Sequence, residues 1–91
     1  MSERRSRTHV LMDILKVIRD DGKARPTHIL HKANLSHKLM KQHLEMLKTN
    51  EFIEEANDRG KMCYKITNKG LKFMEEFKKV EKFSQAFGLP L

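Results

Sequence analysis

Between Thr27 and Gly60 the chain places two short amphipathic stretches on either side of Ala33-Asn34-Leu35-Ser36, then an alternating segment and the turn-forming run Asn57-Asp58-Arg59-Gly60. Few arrangements satisfy that order. Pro26 disfavours helix in the residue before it and fits the opening of the next, so a helix is expected over about Thr27–Lys32 with Ile29, Leu30 and Ala33 facing inward. Asn34 suits a left-handed turn residue, Leu35 can fill the space between two helices, and Ser36 is a good N-cap. On a wheel of about 100° per residue, Ser36–Thr49 sorts Met40, His43, Leu44 and Leu47 onto one face, with Leu39 and Met46 at its edge. Lys38, Lys41, Gln42, Glu45, Lys48 and Thr49 take the opposite side.

The flanking segments complete a small domain. Val10, Leu11, Ile14, Leu15, Val17 and Ile18 recur at helical spacing over Thr8–Asp21, and Gly22 follows as a stop. Lys23-Ala24-Arg25 reads as a minimal first strand. Phe52–Ala56 and Lys61–Ile66 bracket the Asn57–Gly60 turn as a hairpin. Thr67 can cap a final helix of about Asn68–Phe87, about 30 Å long, with Gly70 as a weak point in its first turn and Gly88 and Pro90 as stops. The expected class is mainly α with a small β-hairpin, α+β.

Ninety-one residues at 38% hydrophobic content make one domain, near the size at which a partner subunit helps the core outweigh chain entropy. The net charge of +7 and pI near 9.8 favour a polyanionic partner, nucleic acid first. Residues 1–50 hold eleven basic and five acidic side chains and residues 51–91 hold eight and seven, so nearly all of the excess sits on the half with the helix pair. No apolar run can span a bilayer or serve as a signal segment, and no basic amphipathic helix or lipidation signal marks a membrane-surface protein. A cytoplasmic protein is expected. The single cysteine, Cys63, rules out an internal disulfide and suits a reducing compartment. Arg4, Arg5 and Arg7 make Met1–Arg7 a flexible basic arm in this reading, ahead of a domain over 8–70 and a terminal helix and tail over 71–91.

The string Tyr64-Lys65-Ile66-Thr67-Asn68-Lys69-Gly70-Leu71, with Lys32-Ala33-Asn34-Leu35-Ser36 and Phe52-Ile53-Glu54, resembles the small archaeal winged-helix DNA-binding proteins, a family of predicted transcriptional regulators and nucleoid-associated proteins. The resemblance covers about residues 8–87. It implies a winged helix-turn-helix with a long C-terminal dimerisation helix, double-stranded DNA as ligand, no enzymatic activity, and a homodimer made by the C-terminal helices, often as an antiparallel coiled coil. Here the final helix looks shorter than a long coiled-coil arm and ends rich in Phe.

Candidate DNA-binding residues follow from where a helix docked in a major groove presents its side chains. Gln42 can pair with adenine in a bidentate way, and Lys38 and Lys41 can reach guanine or phosphate; the bland alternative is an ordinary solvated face. His37 and Lys48 on the same helix join the set, while Glu45 weakens base reading by its second half. Ser36 and the free amides after it can hold a phosphate or simply cap. Thr27 and His28 are placed for the backbone across the groove, and Arg59 and Lys61 for the minor groove or phosphates beside the hairpin, against the opposing charge of Glu54, Glu55 and Asp58.

Other chemistry is weakly signalled. His28 and His31 stand i, i+3, with Cys63 as a conceivable further ligand, but no metal-binding spacing exists, so no metal or cofactor is expected. Cys63 reads as a small apolar strand residue rather than a redox sensor. No nucleophile with its base, phosphate-cradling loop or paired carboxylates points to an enzyme, and no small-molecule ligand is evident. Phe73, Phe77, Val80, Ser84 and Phe87 follow seam spacing, with Met74 and Phe83 beside it. The dimerisation set is therefore Phe73, Phe77, Val80, Phe83 and Phe87, with packing back on the parent domain as the alternative. The rival function is a winged helix used for protein–protein contact in a transcription complex, its basic face docking an acidic partner.

Overall fold

The computed structural model describes residues 6–88. Six elements follow one another: α1 (Arg7–Asp21), α2 (Pro26–Lys32), α3 (His37–Thr49), β1 (Ile53–Asp58), β2 (Lys61–Ile66) and α4 (Asn68–Ala86). Of the expected basic arm, Arg4 and Arg5 lie outside the described residues. Arg7 does not belong to a free arm: the Ser6 hydroxyl accepts the His9 amide at 3.1 Å, and α1 starts one residue before the position expected.

Gly22, with φ of 78°, closes α1. The expected strand over Lys23–Arg25 contracts to a single bridge, in which Ala24 and Tyr64 exchange amide bonds of 2.9 and 2.8 Å. The cause lies two residues on. Arg25 is held extended before Pro26, which opens α2 and turns the chain away from the sheet. Asn34 takes a left-handed φ of 53°, and Leu35 donates to the Leu30 carbonyl at 3.1 Å, so the α2–α3 turn is built as its residue types indicate. Ser36 caps α3, its Oγ accepting from the Leu39 amide at 3.2 Å.

In the hairpin Asp58 pairs with Lys61, leaving a two-residue loop, Arg59-Gly60, with φ of 56° and 79°. Positive φ at both positions is the pattern of a type I′ turn, whose twist matches that of the strands. Pairing therefore runs to the tip, and β1 extends two residues beyond the Ala56 expected from the sequence. Phe52 drops out of the strand at its start, its carbonyl instead accepting from the Thr67 amide at 3.0 Å. Thr67 Oγ1 then accepts the Gly70 amide at 3.0 Å and donates to the Glu51 carbonyl at 2.6 Å, which fastens the start of α4 to the end of the α3–β1 loop.

One core joins these parts. Ile14, Leu15 and Ile18 of α1 are sealed from solvent beneath Ile29 and Ala33, Met40, Leu44 and Leu47 of α3, Ile53 and Tyr64 of the hairpin, and Met74 of α4. Burial of a side chain of this size contributes about 1.5–3 kcal/mol, so α3 is held by three such anchors while its other side stays free.

Candidate nucleic-acid interface

With Met40, Leu44 and Leu47 buried, the rotation of α3 on the body is fixed. Lys38, Lys41, Gln42, Glu45 and Thr49 are exposed along the opposite side. Among the described residues neither Lys38 nor Lys41 forms an ion pair, so both ammonium groups are free for an anion. His43 is half-buried, and burial first, then the charge of Arg7, lowers its pKa. It belongs with the inner half of the helix.

Lys48 is placed differently. Its Nζ lies 2.7 Å from Glu55 Oε2 on β1 and 3.5 Å from Glu45 Oε2 one turn back on α3. The hydrogen bond to Glu55 is the main cause that raises its pKa. The i, i+3 spacing of Glu45 and Lys48 is visible in the sequence, but the link to Glu55 appears once the hairpin folds against the helix. Pro26, His37, Met40, Lys41, Met62 and Tyr64 line a groove of about 390 Å³ between α3 and the hairpin, with Leu44 at its floor. Met62, half-exposed there, escaped notice in the sequence because nothing in a strand pattern says which face meets a helix.

On α2, Thr27 and His28 are exposed, and the His28 ring lies 3.0 Å from the Asp21 carboxylate. Arg59 and Lys61 stand exposed at the hairpin tip without ion-pair partners among the described residues. The acid between them and the body is engaged: Asp58 faces Arg25 at 4.0 Å, which removes part of the opposing charge expected at this tip. Ser36, exposed, spends its hydroxyl on the Leu39 amide.

Among the described residues no three His, Cys, Asp or Glu side chains gather into a cluster, and Cys63 is buried with its thiol directed at the Ala56 carbonyl, 3.5 Å away. No described helix is long and apolar enough to cross a membrane.

Along α4 the seam residues divide. Phe73 stacks on Phe52 with centroids 4.6 Å apart, and Phe77 packs against the core, edge-on to His9 at 5.6 Å. His9 also bonds Glu81 at 2.8 Å, tying the start of α1 to the second half of α4. Ser84 is buried. Val80, Phe83 and Phe87 are 51%, 59% and 68% exposed, and the last two rings lie 4.8 Å apart.

A short helix pair crossing on one core, its second helix turned outward and flanked by a two-stranded hairpin, defines the winged helix-turn-helix class. The winged helix-turn-helix family model matches residues 4–85, and the chain belongs to that family. Solved structures agree with the fold. The DNA-binding protein Sso10a-2 from Sulfolobus solfataricus is 21% identical with a TM-score of 0.72, over 92% of this chain and 90% of that one. SSV1 F-93 is 21% identical with a TM-score of 0.67, over 85% of this chain and 91% of that one. BpsR from Bordetella bronchiseptica, whose DNA binding is regulated by 6-hydroxynicotinic acid, is 20% identical with a TM-score of 0.71, over 85% of this chain. The present chain spans 58% of BpsR. No curated protein matches it by sequence.

Proposed function

We propose that this protein binds double-stranded DNA by lodging α3 in the major groove, and that it acts as a homodimer in transcriptional regulation or DNA organisation. The observation that carries this reading is the outward side of α3: Lys38, Lys41 and Gln42 stand exposed on a helix whose rotation is locked by Met40, Leu44 and Leu47, and the two lysines have no acidic partner among the described residues. Phosphate contact by these lysines, by Arg59 and Lys61 at the hairpin, and by the amides following Ser36 supplies affinity through counterion release. Gln42, with Lys38 and Lys41, supplies base preference. Thr27 and His28 approach the backbone from α2.

Dimerisation is assigned to the free part of α4. Val80, Phe83 and Phe87 form one exposed stripe, whereas Phe73 and Phe77 are largely spent on the body of their own protomer. Pairing of two such stripes covers aromatic surface of a size that monomers seldom leave in water and spaces two recognition helices for successive grooves.

Electrophoretic mobility shift with duplex DNA across a salt series tests the reading. Retardation at low salt that fades steeply as salt rises is expected. Lys38→Ala with Lys41→Ala should weaken binding and reduce the log–log salt slope by about 1.8, at about 0.9 per lost phosphate contact, without lowering the melting temperature. Absence of retardation at low salt would refute DNA binding; a collapse of the fold in the double variant would refute the assignment of that side as outward.

A further inference from the structure

The DNA-facing side of the molecule carries two carboxylates that a DNA-binding surface has reason to avoid. Glu45 is exposed on α3 and lines the groove beside Lys41, and Glu55 is exposed on the neighbouring strand. Left bare, both would repel phosphate. Lys48 stands between them, its ammonium 2.7 Å from Glu55 and 3.5 Å from Glu45. Lys41 and Lys38, about two and nearly three turns earlier on the same helix, have no such partners among the described residues.

Resting on the DNA-binding reading above, we infer that Lys48 is the internal counter-ion of Glu45 and Glu55, a positioning residue that clamps the last turn of α3 to the hairpin, rather than a contact to phosphate. A lysine already holding two carboxylates gains little from a phosphate, because it must give up a charge-assisted bond to reach one. The three side chains together carry one net negative charge, and removing the ammonium would leave two. The bridge also crosses from α3 to β1, so it ties the angle of the hairpin to that of the helix. Tyr64, buried beneath, senses the same cluster: burial first and Glu55 next push its phenol up, while Lys48 opposes them.

Fluorescence anisotropy with a labelled mixed-sequence duplex, titrated at several salt concentrations, separates the two roles of Lys48. As a clamp, Lys48→Met should bind DNA severalfold more weakly with an unchanged log–log salt slope, and adding Glu45→Gln and Glu55→Gln to it should restore wild-type affinity or better. As a phosphate contact, Lys48→Met should lower the slope by about 0.9, with no recovery in the triple variant beyond what the two glutamines give on their own. The Glu45→Gln/Glu55→Gln protein leaves Lys48 in place and tests the inference even if Lys48→Met folds poorly. Its freed ammonium should take a phosphate, tightening binding and steepening the slope by about 0.9; an unchanged slope there overturns the inference. Wild-type protein that binds normally while the carboxylate variants do not respond refutes the clamp alone. Wild-type protein that shows no salt-dependent binding refutes the DNA reading and the clamp with it.

Discussion

Replacing Gly70 by alanine sets two effects of opposite sign against each other. Gly70 lies in the first turn of α4, where helix propensity alone favours alanine by about 0.8–1.0 kcal/mol. On propensity the change should stabilise. The packing says otherwise, because a Cβ at this position would meet the Phe52 carbonyl oxygen at 2.2 Å and Ile66 Cγ1 at 2.8 Å. Ile66 can yield by a rotamer change, but the Phe52 carbonyl is backbone. It also accepts the Thr67 amide at 3.0 Å, and that residue fastens α4 to the α3–β1 loop. Relief therefore requires α4 to move off the hairpin. Overpacking of this kind costs about 1–3 kcal/mol, and weakening the Phe52–Thr67 bond costs about 0.5–1.5 kcal/mol more. Set against the propensity gain, the central expectation is a net loss of about 2 kcal/mol, or a melting temperature lower by about 8–16 °C for a domain of this size. Thermal unfolding followed by circular dichroism measures it directly. An unchanged or higher melting temperature in Gly70→Ala would mean that the start of α4 does not press on Phe52, and the account of how this helix is anchored would fail.

Three further expectations follow from the same geometry. Ser36→Ala should cost about 1 kcal/mol by leaving the Leu39 amide uncapped, read as a lower urea midpoint, while Ser36→Asp, whose carboxylate can accept the same amide, should keep most of the wild-type stability; equal destabilisation by both would deny the cap. Because burial and Arg7 lower the pKa of His43 in the folded protein, the unfolded chain binds the extra proton first as pH falls below about 6.5. The contribution of His43 is thus complete above that pH and is lost on acidification toward its lower folded value, so His43→Gln should show a shallower fall in melting temperature between about pH 7.5 and pH 5; parallel curves would place His43 in solvent. Phe83→Glu with Phe87→Glu alters rings that are mostly in water, so the fold should persist while sedimentation velocity reports a monomer, and a dimer of unchanged mass would remove this stripe from the interface.

What the sequence disclosed and what it withheld divide along a physical line. The α2–α3 turn was legible because its requirements are local: a positive φ at Asn34 and a hydroxyl cap at Ser36 are properties of those residues and their immediate neighbours. The outward side of α3 was legible for a similar reason, since three buried residues at helical spacing fix the rotation. The Lys48–Glu55 bridge was not, because it depends on how far β1 swings back over α3. Neither was the need for glycine at position 70. In a list of helix propensities that residue looks like a defect, and it becomes a requirement once the Phe52 carbonyl is seen beside it.

The final helix makes the same division in one element. Seam spacing groups Phe73, Phe77, Val80, Ser84 and Phe87 as equivalents, but spacing describes one helix and says nothing of how wide a stripe its own domain covers. The body takes Phe73 through Phe52, Phe77 through the core and His9, and it holds Glu81 through the His9 ring. At about 100° per residue, Val80, Phe83 and Phe87 fall on a line turned away from that contact, beside it rather than opposite. An interface on that line can form without releasing α4 from the winged helix. Two protomers so joined keep each recognition helix rigidly referred to the dimer axis, whereas a pairing through Phe73 and Phe77 would first have to break the Phe52 stack and the His9 contacts that hold α4 to its own domain.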